Sequence, residues 1–309
     1  MAVKKKISKK YFHSKLLLFG EHIINRGAKG LAIPTDHFTG YFDFIKEEWN
    51  ETAVSSNRAI QGLAEYIIYD DGLAPLYDTN QLLEDLEHGL YFQSDIPQGY
   101  GLGSSGALVA ALCTNYRLKP ANKKDLSANK NELAKLECHF HGKSSGLDPL
   151  VCFLNKSVLI NKGEVTDAFD LKTNEKTYFS VFLLNTNKPR KTAPYVNLFL
   201  QKCKDRKFDA MLNESLIKAN DMCIKSFLDP GYRTFWKSLK LISQIHFDHL
   251  PEFIPEGFKP LWKQGLVNDE FYLKICGAGG GGFILGFCKK DFDIKSVLHQ
   301  YEVITLLSF

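Results

Sequence analysis

The segment best suited to chemistry runs from Pro97 to Gly106 and reads Pro-Gln-Gly-Tyr-Gly-Leu-Gly-Ser-Ser-Gly, with a strand-like run before it and an apolar helical run after it. Glycines let the backbone turn sharply and approach a ligand with no Cβ in the way. A helix that opens there aims unpaired N–H groups and the positive end of its dipole at the loop. Together these make an anion site suited to a triphosphate. Ser104 and Ser105 add hydroxyls that can donate to phosphate or bind Mg²⁺.

Other glycine-loop chemistries fit less well. The pattern GxGxxG occurs twice, at Gly101–Gly106 and at Gly277–Gly282, so by itself it discriminates little. A dinucleotide site wants an acidic residue ending a second strand about twenty residues on. Here that stretch, Lys119 to Lys130, is polar and lysine-rich, with Asp125 in no strand. A P-loop is excluded because neither glycine run leads into Lys-Ser or Lys-Thr.

Three further segments carry reactive side chains. Glu137 and His141 stand four residues apart on one face of a predicted helix, and Asp148 follows the glycine-bearing turn Gly142-Lys-Ser-Ser-Gly146. A carboxylate on a loop near a phosphate site can hold a metal or take a proton from an attacking hydroxyl. The pair His139 and His141 does not read as a zinc site, because i, i+2 on a helix does not converge on one ion and no third ligand has suitable spacing. Lys15 leads the apolar run Leu16–Phe19, after which come Gly20, Glu21 and His22. Lys274 opens a second flexible loop, Ile-Cys-Gly-Ala-Gly-Gly-Gly-Gly282.

Apolar runs predict the elements that must position these groups. Strands are expected over 14–19, 31–34, 40–45, 91–96, 151–160, 178–185, 271–275, 283–287 and 303–307, with helices over 107–116, 133–141 and several between about 194 and 265. A charged helix is expected before the last strand, and the polar stretch 167–176 reads as a domain boundary. Strands mixed with helices in both halves predict an α+β protein.

Composition sets broader bounds. The chain has 309 residues, 44% hydrophobic and 24% charged, which suits an ordinary globular protein with proper cores. A net charge of +4, much of it from Lys4, Lys5, Lys6, Lys9 and Lys10, gives no case for nucleic acid as a partner. The seven cysteines are odd in number and scattered, which favours reduced thiols in a cytoplasmic setting. No apolar run reaches membrane-spanning length, so no membrane partner is expected.

Taken together, Lys15–His22, Pro97–Ala107 and Lys274–Phe283 resemble, in order and spacing, the three motifs of the GHMP kinase superfamily, and the pattern is most similar to its mevalonate kinase family. The resemblance implies a two-domain fold. Residues 1–172 would form an α/β domain with a left-handed βαβ nucleotide site, and 173–309 a ferredoxin-like α+β domain. It implies ATP and Mg²⁺ as cofactors and a small-molecule alcohol, such as mevalonate, as phosphate acceptor. Asp148 and Lys15 would be catalytic. ATP would be held by Ser94, Gly99, Tyr100, Gly101, Leu102, Gly103, Ser104, Ser105 and Gly106, Mg²⁺ by Ser105 and Glu137, and the acceptor by Glu21, His22, Gly279 and Gly280. A homodimer is compatible with it. The chain departs from the pattern at Ser14 and Gly106, where glycine and alanine are usual, and at Pro149, where the residue after the aspartate is commonly asparagine. The aspartate argues against phosphomevalonate and homoserine kinases, and no galactokinase-type sugar segment is present. A non-catalytic nucleotide-binding relative would not need Lys15, Ser105, Glu137 and Asp148 together.

Overall fold

A computed structural model of the chain describes residues 9–46, 50–171, 178–229 and 232–308. In chain order the elements are β1 (Phe12–Phe19), β2 (Gly30–Phe44), α1 (Glu51–Tyr69), α2 (Thr79–Glu87), β3 (Leu90–Ser94), α3 (Ser104–Tyr116), α4 (Leu126–His141), α5 (Leu147–Leu154), β4 (Ser157–Asn161) and β5 (Glu164–Phe169). There follow β6 (Phe179–Asn185), α6 (Thr192–Lys202), α7 (Arg206–Met211), α8 (Ile217–Leu228), α9 (Tyr232–His249), α10 (Lys259–Asn268), β7 (Phe271–Ile275), β8 (Phe283–Lys289), α11 (Ile294–Val297) and β9 (Val303–Ser308). The α+β class is as expected.

The chain forms two units that interleave in sequence. Of the described residues, one holds those up to Lys15 and those of Pro34–Pro97 and Leu102–Lys156; the other holds Leu16–Ile33, Gln98–Gly101 and those from Ser157 on. The divisions fall inside β1, β2 and the first glycine loop. The expected boundary at 172/173 lies outside the described residues.

In the first unit the C-terminal half of β2 pairs antiparallel with β3, Gly40 opposite Ser94 and Phe44 opposite Leu90. Gly40 is required there, since a Cβ would stand 2.3 Å from the Phe92 ring. Helix α3 is buried on nearly every residue from Gly106 to Cys113, the mark of a central helix. Asn50 caps α1 by accepting the Ala53 N–H, and Ala53, Ile60, Leu63, Ala64 and Ile67 give α1 its buried stripe. In the second unit β6 to β9 form an antiparallel sheet in the order β7-β8-β6-β9. Counting β6 to β9 as strands 1 to 4, that order is 2-3-1-4, the arrangement of a βαββαβ ferredoxin-like fold. In the same unit the start of β2 pairs with β4, and β4 with β5.

Four expectations need correction. Residues 31–34 and 40–45 belong to one strand of 15 residues rather than two. Residues 151–154 are helical, since α5 runs through Leu154 and strand begins only at Ser157. Pro149 is tolerated in the first turn of α5, where N–H groups have no intrahelical acceptor, and Asn155 at φ 51° ends the helix. Asp167–Phe169, read as part of a boundary, are the end of an exposed strand. The charged helix before β9 is a single turn of 4 residues.

Candidate active site

In the first unit four elements bring reactive groups together. Lys15 lies on β1 and Asp148 in the first turn of α5, with Nζ 2.8 Å from Oδ1. Asp148 is therefore on a helix rather than on the expected loop. The Lys15 N–H donates to the Leu102 carbonyl at 2.9 Å, which ties β1 to the glycine loop. Leu102 itself is a buried anchor.

The glycines here are set by close approach. Gly103, at φ 74°, caps α3, and a Cβ on it would meet Lys15 Cγ at 2.8 Å. A Cβ on Gly106 would sit 2.9 Å from the backbone of Asp148 and Pro149, which explains why glycine replaces alanine there. Gly146, at φ 71°, would drive a Cβ to 2.2 Å from the Lys130 carbonyl oxygen, so the first turn of α5 is pressed onto α4. The departure at Ser14 is equally local: its buried hydroxyl lies 2.6 Å from Thr35 Oγ1.

No side chain caps α3, which leaves the N–H groups of its first turn, around Ser104 and Ser105, able to receive an anion. Ser105 Oγ donates to Glu137 Oε1 at 3.0 Å and lies 3.0 Å from His141 Nε2. Ser144 Oγ donates to the other Glu137 oxygen and accepts the Gly146 N–H at 2.9 Å. Burial, with the charge of Asp148 second, pushes the Glu137 carboxyl up to about 7 against the pull of both serines and Lys15. The donor set fits Mg²⁺: two hard oxygens 3.0 Å apart. Two neighbouring ligands of an octahedral ion bound at about 2.1 Å stand roughly 3.0 Å apart, and Mg²⁺ takes its remaining ligands from water and phosphate. Ser94 differs from the rest. Its hydroxyl donates to the Thr39 carbonyl at 3.2 Å and accepts the Ile96 N–H at 3.1 Å, closing the end of β3.

In the second unit Glu21 and Lys274 form a sealed pair, Nζ to Oε1 2.6 Å, with Lys274 1% and Glu21 8% exposed. Lys274 also donates to the Ile275 carbonyl. His22 sits at φ 63°, an uncommon conformation for a residue other than glycine. Its Nε2 is 3.2 Å from the Ala278 carbonyl, which can only accept, so Nε2 carries the proton. The ring stacks on Phe199 with centroids 4.7 Å apart. Burial, aided by the Arg190 and Lys274 charges, lowers its pKa to about 4, so the imidazole is neutral.

The second glycine loop is largely self-satisfied. The N–H groups of Gly279, Gly280 and Gly282 donate to the carbonyls of Cys276, Phe253 and Lys188. Arg190, which follows β6, was not singled out from the sequence. Its Nη1 donates to the carbonyls of Cys276 at 2.9 Å and Gly281 at 3.2 Å, and its backbone N–H to Gly99. A Cβ on Gly101 or on Gly277 would strike its guanidinium at 2.3 Å. Tyr100 packs beside it on Phe283, with centroids 5.1 Å apart. In sequence, Arg190 was one cation in the polar run Asn187-Lys-Pro-Arg-Lys191, a pattern shared with any solvated turn. Ser144 was also missed, since one hydroxyl in Lys-Ser-Ser-Gly has no signature of its own.

Residues 74–156 match the GHMP kinases N terminal domain. The chain is 22% identical to a D-glycero-alpha-D-manno-heptose 7-phosphate kinase from Campylobacter jejuni across 92% of each chain. It is 28% identical to a mevalonate kinase from Pyrococcus abyssi over 49% of this chain and 50% of that one. In fold it is similar to Streptococcus pneumoniae phosphomevalonate kinase, solved with phosphomevalonate and AMPPNP, at a TM-score of 0.65 and 13% identity, covering 98% of this chain and 100% of that one. Over residues 74–156 the chain carries a GHMP kinase N-terminal domain, and mevalonate kinases are among the proteins it is similar to. The proteins it is similar to are small-molecule kinases named for different acceptors.

Proposed function

We propose that this chain transfers the γ-phosphate of ATP to the primary hydroxyl of mevalonate. The observation that supports it most is the Lys15–Asp148 contact of 2.8 Å beside the uncapped N-terminus of α3. Asp148 orients the acceptor hydroxyl and takes its proton, and it can reach a substrate because its side chain is one-third exposed. Lys15 holds that carboxylate in place and offers positive charge to the transferring phosphoryl group. The loop Gly99–Gly106 and the first turn of α3 hold the triphosphate through backbone N–H groups. Ser105 and Glu137 would hold Mg²⁺, which supplies charge neutralisation at the phosphates when bound. Phosphoryl transfer has a loose transition state, so positioning and electrostatics carry most of the rate. Acceptor contacts are assigned to Glu21, His22, Gly279 and Gly280 by family likeness. In the folded chain Glu21 is paired with Lys274, His22 Nε2 with the Ala278 carbonyl, and the two glycine N–H groups with the carbonyls of Cys276 and Phe253.

A sugar phosphate is the second reading, supported by the likeness to the heptose 7-phosphate kinase over 92% of both chains. An ADP-release assay with mevalonate, phosphomevalonate, homoserine, galactose and a heptose 7-phosphate separates the readings. Turnover at least tenfold faster on mevalonate than on the rest is expected. Preference for the heptose phosphate overturns the mevalonate assignment, and ATP binding without turnover on any acceptor overturns the kinase.

A further inference from the structure

Ser105 is gripped from one side by two residues a single turn apart on α4. Its Oγ lies 3.0 Å from Glu137 Oε1 and 3.0 Å from His141 Nε2. A serine hydroxyl has one proton to give and two lone pairs with which to accept. The Ser105 hydroxyl gives its proton to Glu137 Oε1, so His141 donates Nε2–H to Oγ. Ser144 holds the other Glu137 oxygen, so the carboxylate is oriented at both ends.

Loading a cation changes this pattern. When Ser105 Oγ and Glu137 Oε1 turn lone pairs toward one divalent ion, the hydrogen bond between them is lost. The hydroxyl proton then needs a new acceptor, and the group already at hydrogen-bond distance is His141 Nε2. We propose that His141 is a positioning residue that exchanges roles on loading: it donates to Ser105 in the empty site and accepts from Ser105 when the ion is bound. One proton leaves Nε2 for water and one from water binds Nδ1, which the exposure of His141 at the end of α4 permits. Ser105 keeps its own proton, and no net charge moves. An acceptor behind the hydroxyl fixes its direction and makes its oxygen a better ligand, as outer partners of metal ligands generally do. The i, i+4 spacing of Glu137 and His141 is then the spacing that puts carboxylate and imidazole on one hydroxyl.

This inference rests on the reading of Ser105 and Glu137 as Mg²⁺ ligands, and its test separates the two. AMPPNP binding is measured by calorimetry in EDTA and across a Mg²⁺ titration, for wild type, His141→Ala and His141→Gln. The amide oxygen of glutamine can accept a hydrogen bond where Nε2 stood; alanine cannot. Expected are an unchanged affinity in EDTA, about a tenfold higher Mg²⁺ requirement for His141→Ala, and a requirement within about threefold of wild type for His141→Gln. A His141→Ala variant that titrates like wild type overturns the proposal, as does a His141→Gln variant as impaired as alanine. Wild-type binding that ignores Mg²⁺ overturns the metal reading itself, and the proposal with it. Thermal melting checks that both variants fold.

Discussion

Each unit contains a lysine paired with a carboxylate, and the two pairs do different work. Lys15 and Asp148 meet at 2.8 Å with a third of the aspartate side chain open to solvent. Lys274 and Glu21 meet at 2.6 Å with side chains 2% and 4% exposed. Lys274 also lies 5.6 Å from the Phe19 ring centroid, and the neighbouring His246 is buried, its pKa pushed well down by desolvation. The glycine loops repeat the contrast. The first leaves the helix that follows it uncapped, whereas the second engages its own N–H groups with the carbonyls of Cys276, Phe253 and Lys188. The same residue types are open to chemistry where surface is left exposed, and confined to architecture where it is not.

The contrast is most exposed to failure at the carboxylates. Asp148→Asn is expected to lower kcat by about 10²–10⁴-fold while nucleotide affinity changes little; near-normal turnover in a steady-state assay removes Asp148 from the mechanism. Lys274→Met removes the cation from a buried ion pair, which costs about 3–5 kcal/mol. Lys15→Met leaves a partly solvated aspartate, costs about 1 kcal/mol or less, and lowers kcat by orders of magnitude. Equal destabilisation of the two variants in urea melts would erase the distinction between the pairs. Adding Glu21→Gln to Lys274→Met should recover part of the loss.

Gly106→Ala sharpens the steric side. Its Cβ would press on the Asp148 and Pro149 backbone at 2.9 Å, so the first turn of α5 must shift. A loss of about 1–3 kcal/mol is expected, with kcat falling more than nucleotide affinity. Wild-type kcat would show that the placement of Asp148 tolerates the movement.

The smallest effect is one of pH. Glu137 has its pKa raised from 4.5 to about 7 in the folded chain, chiefly by burial. Between those values the native state binds more proton than the unfolded one. The stabilisation is therefore complete below about 4.5 and is lost as pH rises through about 7, at no more than about 1.4 kcal/mol per pH unit. Glu137→Gln, with no proton to lose, should flatten that slope in nucleotide-free melts. An unchanged slope would assign the titration elsewhere.

Much of the site was legible because its signals are local. A glycine run between strand and helix, a carboxylate and an imidazole four residues apart, and a lysine leading an apolar strand each carry meaning within about ten residues. The strand β1 and helices α3 and α4 were legible for the same reason. Helices α1 and α2 were not assigned from the sequence, although the buried stripe of α1 has helical spacing. The run Val-Cys-Phe-Leu in α5 was misread because β-branched and aromatic residues suit either a buried strand or a buried helix.

The sequence alone determined the class of fold, the candidate anion loop and the identity of the groups that stand near it, since each is written into neighbouring residues. Tertiary structure decided what each group is free to do. Only packing shows that Glu21 is sealed by a lysine 253 positions away, that His22 is neutral, and that Arg190 sits among loop carbonyls. Burial and long-range partners set ionisation and free valence, and neither has a local signature in the chain.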